Sequence, residues 1–268
     1  MSQRFLSMNI VSAIFSATAV MLTGCRSVPM TDRSQLMLTS SSYENRLGAE
    51  SYSEYKKQYK QSANTEYNQA LTRVGAAVKA AAPENDFEWE FIVFDSTTEN
   101  AFCLPGGKVA VFSGLIDKMN NEAELACVVS HEVAHAIARH SGERMSWSQL
   151  RTLGAIGLDL GLDNAAVNEI YGTGTEIGVM LPFSRSNESE ADQIGQLLMA
   201  RAGYDPRASV QFWTRFGGGK SSSVIGDLLS THPCDTDRIA ALSASLPEAT
   251  AEYNKAKKRR GLGTVFTR

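Results

Sequence analysis

His131-Glu132-Val133-Ala134-His135 places two imidazoles four residues apart in a chain that has only four histidines. On a helix, residues i and i+4 share a face, so both rings can reach one ion. Zinc takes neutral histidine nitrogen at about 2.0–2.1 Å, and catalytic zinc sites keep one position open for water. Glu132 lies about 100° further round the helix. There it stands beside that water instead of on the ion, where a carboxylate can take a proton from water acidified by zinc. The spacing predicts one zinc per chain, with His131 and His135 as ligands and Glu132 as general base.

A third protein ligand is needed. His140 is nine residues after His131, about 180° away on an ideal helix, so it is expected to pack or hydrogen-bond at the helix end. Asn187-Glu188-Ser189-Glu190-Ala191-Asp192 is the better source. Glu188 and Asp192 share a helical face and Glu190 points elsewhere. Glu188 is expected to complete the zinc ligands. Asp192, one turn on, suits the far nitrogen of a ligand histidine, fixing its tautomer.

Several elements must position these groups. Tyr52, Tyr55 and Tyr59, then Leu71, Val74 and Val78, recur at helical spacing and predict two amphipathic helices ending before Pro83. Alternation from Phe87 to Phe94 predicts a strand with one apolar face. Lys108 to Phe112 is a second strand and Ala101 to Leu104 a third, with Pro105-Gly106-Gly107 as the turn. Asn121 with Glu124 forms a capping-box pattern opening the metal helix, expected to run to about His140. Asn187 to Arg201 predicts another helix, stopped by Gly203. Asp205 and Pro206 begin the next. The run from Gly107 to Ser113 is expected to offer its edge to an extended substrate.

The chain has 268 residues, 26 Lys+Arg against 29 Asp+Glu, and a formal charge of -3. That balance gives no reason to expect nucleic-acid binding. Four cysteines are too few for a disulfide-built scaffold. Residues 1–24 have the layout of an export signal: Arg4, an apolar run from Asn9 to Leu22, then small residues. Leu22-Thr23-Gly24-Cys25 resembles a bacterial lipoprotein signal box, which implies cleavage before Cys25 and lipidation of that residue. Arg26, and not Asp, after the cysteine favours sorting to the outer membrane. The expected organisation is a signal peptide (1–24), lipidated Cys25 and a linker (25–42), a metallopeptidase domain (43–250) and a basic tail (251–268). Leu150 to Phe183 is apolar but interrupted by Arg151, Asp159, Asp163, Glu169 and Glu176, too charged to span a membrane. Within it, 154–180 fits a lid, a membrane-facing helix or plain core.

Four stretches together resemble the HtpX-like zinc endopeptidases, the group that includes the CAAX prenyl-protein proteases, in their bacterial lipoprotein branch. They are Asn100-Ala101-Phe102 with Pro105-Gly106-Gly107; His131 to His135; Glu188 to Asp192; and Thr231-His232-Pro233 followed by Arg238-Ile239. They cover roughly residues 45–245. The resemblance implies His131, His135 and Glu188 as zinc ligands, Glu132 as general base and Asp192 behind a ligand. It also implies an active-site role for His232, either on the zinc at rest or against the reacting carbonyl. Arg238 either assists or forms a structural ion pair. Glycines 217–219 upstream of His232 suit a moving segment. Cys127 is expected in the core, and Cys103 and Cys234 flank active-site motifs, so a bridge between them is conceivable.

The expected architecture is α+β: a mostly helical zincin of the gluzincin type, with a small β-sheet flanking the metal helix. The expected reaction is peptide-bond hydrolysis in damaged or misassembled envelope proteins on the periplasmic side, a substrate class that rests on resemblance. The alternative is a non-proteolytic chaperone or assembly factor with a closed, structural zinc site.

Overall fold

The computed structural model describes residues 24–157, 184–217 and 226–266. The expectations for the signal peptide (all but Gly24), for most of 154–180 and for the glycines after Gly217 lie outside the described residues.

The chain opens with a hairpin, β1 (Cys25–Ser27) antiparallel to β2 (Ser34–Leu36). Residues 26–42 were expected to be a linker, and this is corrected. Val28, Leu36 and Met37 are buried, and Met30 packs against the cluster of Leu197, Ala200, Ala249 and Tyr253 on the helical side. The Ser/Thr/Pro composition that suggests a linker hides these apolar anchors.

Two helices follow, α1 (Ser41–Gln58) and α2 (Thr65–Ala81). Ser40 and Asn64 cap them, their side chains accepting from the amides of Tyr43 and Tyr67. The sheet is β3 (Glu90–Phe94), β4 (Ala101–Leu104) and β5 (Lys108–Phe112), in the order β3-β5-β4. β3 is parallel to β5, with Phe91 opposite Val109, and β4 is antiparallel to it, with Phe102 opposite Ala110. Gly106 and Gly107 have φ of 83° and 78°, the left-handed backbone that lets β4 turn into β5. Both faces of the sheet are covered. Val93, Val109 and Val111 join the main core, while Phe94, Phe102 and Phe112 pack with Tyr52, Tyr55 and Tyr59 of α1 and its C-terminal end. The single apolar face expected of the first strand is therefore two.

The expected substrate strand is also corrected. β5 lies in the middle of the sheet, bonded on both sides. The edge that packs against the metal helix is β4.

After a short helix, α3 (Ser113–Ile116), comes α4 (Glu122–Ile137). All sixteen of its residues are buried. Asn121 caps it by accepting from the Glu124 amide, and the Glu124 carboxylate reaches back to the amide of Asn120 at 2.8 Å. The helix ends at Ile137, three residues short of the expected end. Arg139 takes φ 54°, and a new helix, α5 (His140–Gly157), begins at the next residue.

α6 (Arg185–Arg201) packs along α4. Gly195 sets their separation: a Cβ there would lie 2.9 Å from both Cα and N of His131. α7 (Arg207–Gly217), α8 (Gly226–Thr231) and α9 (Thr236–Lys255) complete the helical side. α9 crosses the expected domain end at 250. Residues 260–266, within the expected basic tail, pack back onto the domain at two points. Arg260 donates to Gly203 O at 2.7 Å, and the Phe266 ring, buried, meets Tyr67 edge-on at 5.7 Å. Among the described residues, no helix is long and apolar enough to cross a membrane.

Candidate metal centre

Three elements converge. α4 presents His131 and His135, α6 presents Glu188 and Asp192, and the α8–α9 turn presents His232. One donor atom each from His131, His135, Glu188 and His232 lies within 4.8 Å of all the others. The four residues are between 1% and 3% exposed. Nε2 of His135 is 3.1 Å from Nε2 of His131, which is 3.3 Å from Nδ1 of His232. Nδ1 of His232 is 3.2 Å from Glu188 Oε1, and the Glu188 oxygens are 3.4 Å from Nε2 of both helix histidines.

These spacings test whether zinc fits. Four donors at about 2.0–2.1 Å from a tetrahedral ion stand about 3.3–3.4 Å from one another. The separations above, 3.1–3.4 Å, are close to that size, and all four donor atoms lie within 4.8 Å of one another. Charge agrees: burial opposes protonation of His131, but Asp192 and Glu188 outweigh it and raise its pKa to about 9. Burial opposes the charge on Glu188 too, and the facing His135 and His232 still hold that carboxylate well below its ordinary range. The centre favours positive charge, which a divalent cation supplies by displacing protons. Burial pushes His135 far below the usual histidine value, leaving it neutral as a ligand must be.

Glu132 is 3% exposed, and its Oε1 lies 3.4 Å from Nε2 of His232. That oxygen has no hydrogen-bond partner. Burial raises the pKa of Glu132 above the ordinary carboxylate value. Behind the cluster, Asp192 Oδ1 is 3.0 Å from Nδ1 of His131. Arg238 forks onto Asp192 at 2.8 and 2.9 Å, and its Nη1 lies 2.9 Å from Glu188 Oε2. Its guanidinium stacks 4.7 Å over Trp213, whose ring meets His131 edge-on.

Eight residues that the sequence singles out thus divide cleanly. Seven form one constellation: His131, Glu132, His135, Glu188, Asp192, His232 and Arg238. Cys25 is exposed on β1 and belongs to none of it. Cys103 and Cys234 are not bonded to each other, so the conceivable bridge between them is not formed, and Cys127 is in the core as expected.

Two members were missed. His140, set aside on helical geometry, lies 2.8 Å from His135, Nδ1 to Nδ1, because the helix breaks at Arg139. Glu190, expected to point elsewhere, does turn from the cluster but meets His140 Nε2 at 2.9 Å. One signal was available: Arg139 to Arg144 contains no large apolar residue, so a fully buried helix cannot continue through it.

The model of peptidase family M48 matches residues 62–246. The chain belongs to peptidase family M48. Its cluster of His131, His135, Glu188 and His232 could hold one metal ion, as a metallopeptidase of that family requires. Among relatives, mitochondrial metalloendopeptidase OMA1 of Schizosaccharomyces pombe is 35% identical over 83% of this chain and 66% of its own length. OMA1 of Saccharomyces cerevisiae is 33% identical over 85% and 70% respectively. The β-barrel assembly-enhancing protease of Escherichia coli is 31% identical over 64% of this chain and 37% of its own. The chain thus spans from about a third to 70% of these relatives.

Proposed function

We propose that this chain is a zinc-dependent endopeptidase of the bacterial cell envelope, with His131, His135 and Glu188 as its zinc ligands and Glu132 as its general base. The observation that carries the reading is a buried Glu132 carboxylate, one oxygen of which makes no hydrogen bond, beside four potential metal donors within 4.8 Å of one another. Zinc in such a site acidifies water and polarises the scissile carbonyl. Glu132, raised by burial toward the working pH, accepts the proton released by the attacking water and returns it to the leaving amine. Asp192 Oδ1, 3.0 Å from Nδ1 of His131, is placed to hold the proton there and so leave Nε2 free to bind a metal. Arg238 is read as the structural ion pair, neutralising Asp192 and Glu188 from behind.

His232 is read as a gate. Three protein donors and one open position make a catalytic zinc site, whereas four protein donors make a closed one. With Nδ1 of His232 in the fourth place the site is at rest. A closed set is also what a structural site in a chaperone would have, but a structural site has no use for Glu132.

Substrates are read as unfolded or misassembled envelope proteins, bound as an extended strand along the β4 edge next to α4. Likeness to the β-barrel assembly-enhancing protease of Escherichia coli supports the envelope setting. The signal-like leader and Cys25 support a lipid anchor on the periplasmic side of the outer membrane. Metal analysis tests the ligand assignment. One zinc per chain is expected, with severe loss in His135→Ala, and full occupancy in that variant would overturn it.

A further inference from the structure

The two helix histidines are backed differently, and the difference carries an inference that rests on the zinc reading above. His131 has a carboxylate at its far nitrogen, Asp192 at 3.0 Å. His135 has a second imidazole there, with its Nδ1 2.8 Å from Nδ1 of His140. Nε2 of His140 lies 2.9 Å from Oε2 of Glu190. Arg33 Nε donates to the same oxygen at 2.8 Å, and the Thr31 hydroxyl donates to Oε1. Arg33 also forks onto Glu143, at 2.9 and 2.7 Å. Glu143 in turn accepts from Asn187 Nδ2 at 3.2 Å. One guanidinium from the β1–β2 hairpin thus ties the start of α5 to the start of α6. His140, Glu143 and Glu190 are all buried.

Zinc ligation fixes the direction of every donor along this line. A histidine that gives its Nε2 lone pair to a metal carries its proton on Nδ1. Nδ1 of His135 therefore donates, and Nδ1 of His140 accepts. The His140 proton is then on Nε2, and it points at Glu190, which is an acceptor. One placement of protons satisfies all the contacts just described. It holds the His135 ring in orientation and transmits the Glu190 charge to it through a neutral imidazole. A carboxylate behind a ligand histidine does the same work directly, and losing such a partner commonly weakens metal binding about 10–100-fold.

We infer that His140 and Glu190 are positioning residues for His135, and that Arg33 and Thr31, on the turn of the β1–β2 hairpin, hold Glu190 in place for that purpose. The hairpin beside Cys25 is then a structural part of the metal centre.

Chelator competition on the full chain reads zinc affinity. Visible absorption of the cobalt(II)-substituted chain reads the ligand field at the metal. His140→Phe keeps a ring and removes both nitrogens. It is expected to weaken zinc about 10–100-fold and to shift the cobalt bands. His140→Asn returns an acceptor near the Nδ1 position and is expected to recover most of the affinity, which a purely packing role would not produce. Glu190→Gln and Arg33→Met are expected to weaken zinc in the same direction by smaller factors. Unchanged affinity and cobalt bands in folded His140→Phe would overturn the inference. If that variant does not fold, unchanged values in both Glu190→Gln and Arg33→Met would do so. The parent reading fails separately, through a wild-type chain that binds no zinc or a His135→Ala chain that binds it fully.

Discussion

Glu132 combines burial, an oxygen that makes no hydrogen bond and a place beside the metal donors. Glutamine has its shape but cannot accept the proton. Glu132→Gln is expected to keep zinc and melting temperature while peptidase activity falls about 10²–10⁴-fold. Near-normal turnover would remove Glu132 from the mechanism. His232 predicts the opposite sign. Its Nδ1 occupies the fourth donor place, so His232→Ala is expected to raise basal peptide hydrolysis, and a fall would make it a contact to the reacting carbonyl instead. At this scale the sequence was most informative where chemistry follows local geometry. His131, Glu132 and His135 share one helix, and so do Glu188 and Asp192, so i, i+4 spacing is enough to pair them. His140 and Glu190 were hidden because their pairing depends on the helix break at Arg139, a left-handed residue with no glycine to announce it. The place of His232 followed from family resemblance alone, since no local spacing joins residues 101 positions apart.

Gly195 is the point where two ligand-bearing helices touch. Residues 188, 192 and 195 lie on one face of α6, and the glycine lets that face approach the His131 backbone. Gly195→Ala forces a Cβ to 2.9 Å from that backbone. It is expected to destabilise the chain by about 1–3 kcal/mol and to lower zinc affinity by moving Glu188 away from His131 and His135. Thermal unfolding and chelator competition check both parts, and an unchanged affinity would mean that the spacing of α4 and α6 does not set the donor geometry. The three strands of the sheet were legible from alternation, and their boundaries nearly so. Their order was not. Which strand lies in the middle depends on pairing between segments far apart in sequence, and β5 looks no more central than β4 by composition. The edge expected of residues 107–113 therefore belongs to β4.

Both ends of the described chain fold back onto the domain. At the N-terminal side Arg33 joins the supports behind His135, and at the C-terminal side Phe266 fills the core beside Tyr67. Composition misleads at both places, because a few buried anchors sit among polar and basic neighbours. Phe266→Ala is expected to cost roughly 3 kcal/mol, a clear drop in melting temperature. A solvated tail would show none. Cys25 stands exposed on β1 of the N-terminal hairpin. The account as a whole claims zinc-dependent cleavage of unfolded protein, and digestion of casein tests that claim most directly. The full chain and its His232→Ala variant, each carrying one zinc, are incubated with casein, with and without a zinc chelator. The account predicts internal cleavage, faster in the variant, abolished by chelator and restored by added zinc. No cleavage by either zinc-loaded protein, or cleavage indifferent to the chelator, would contradict it.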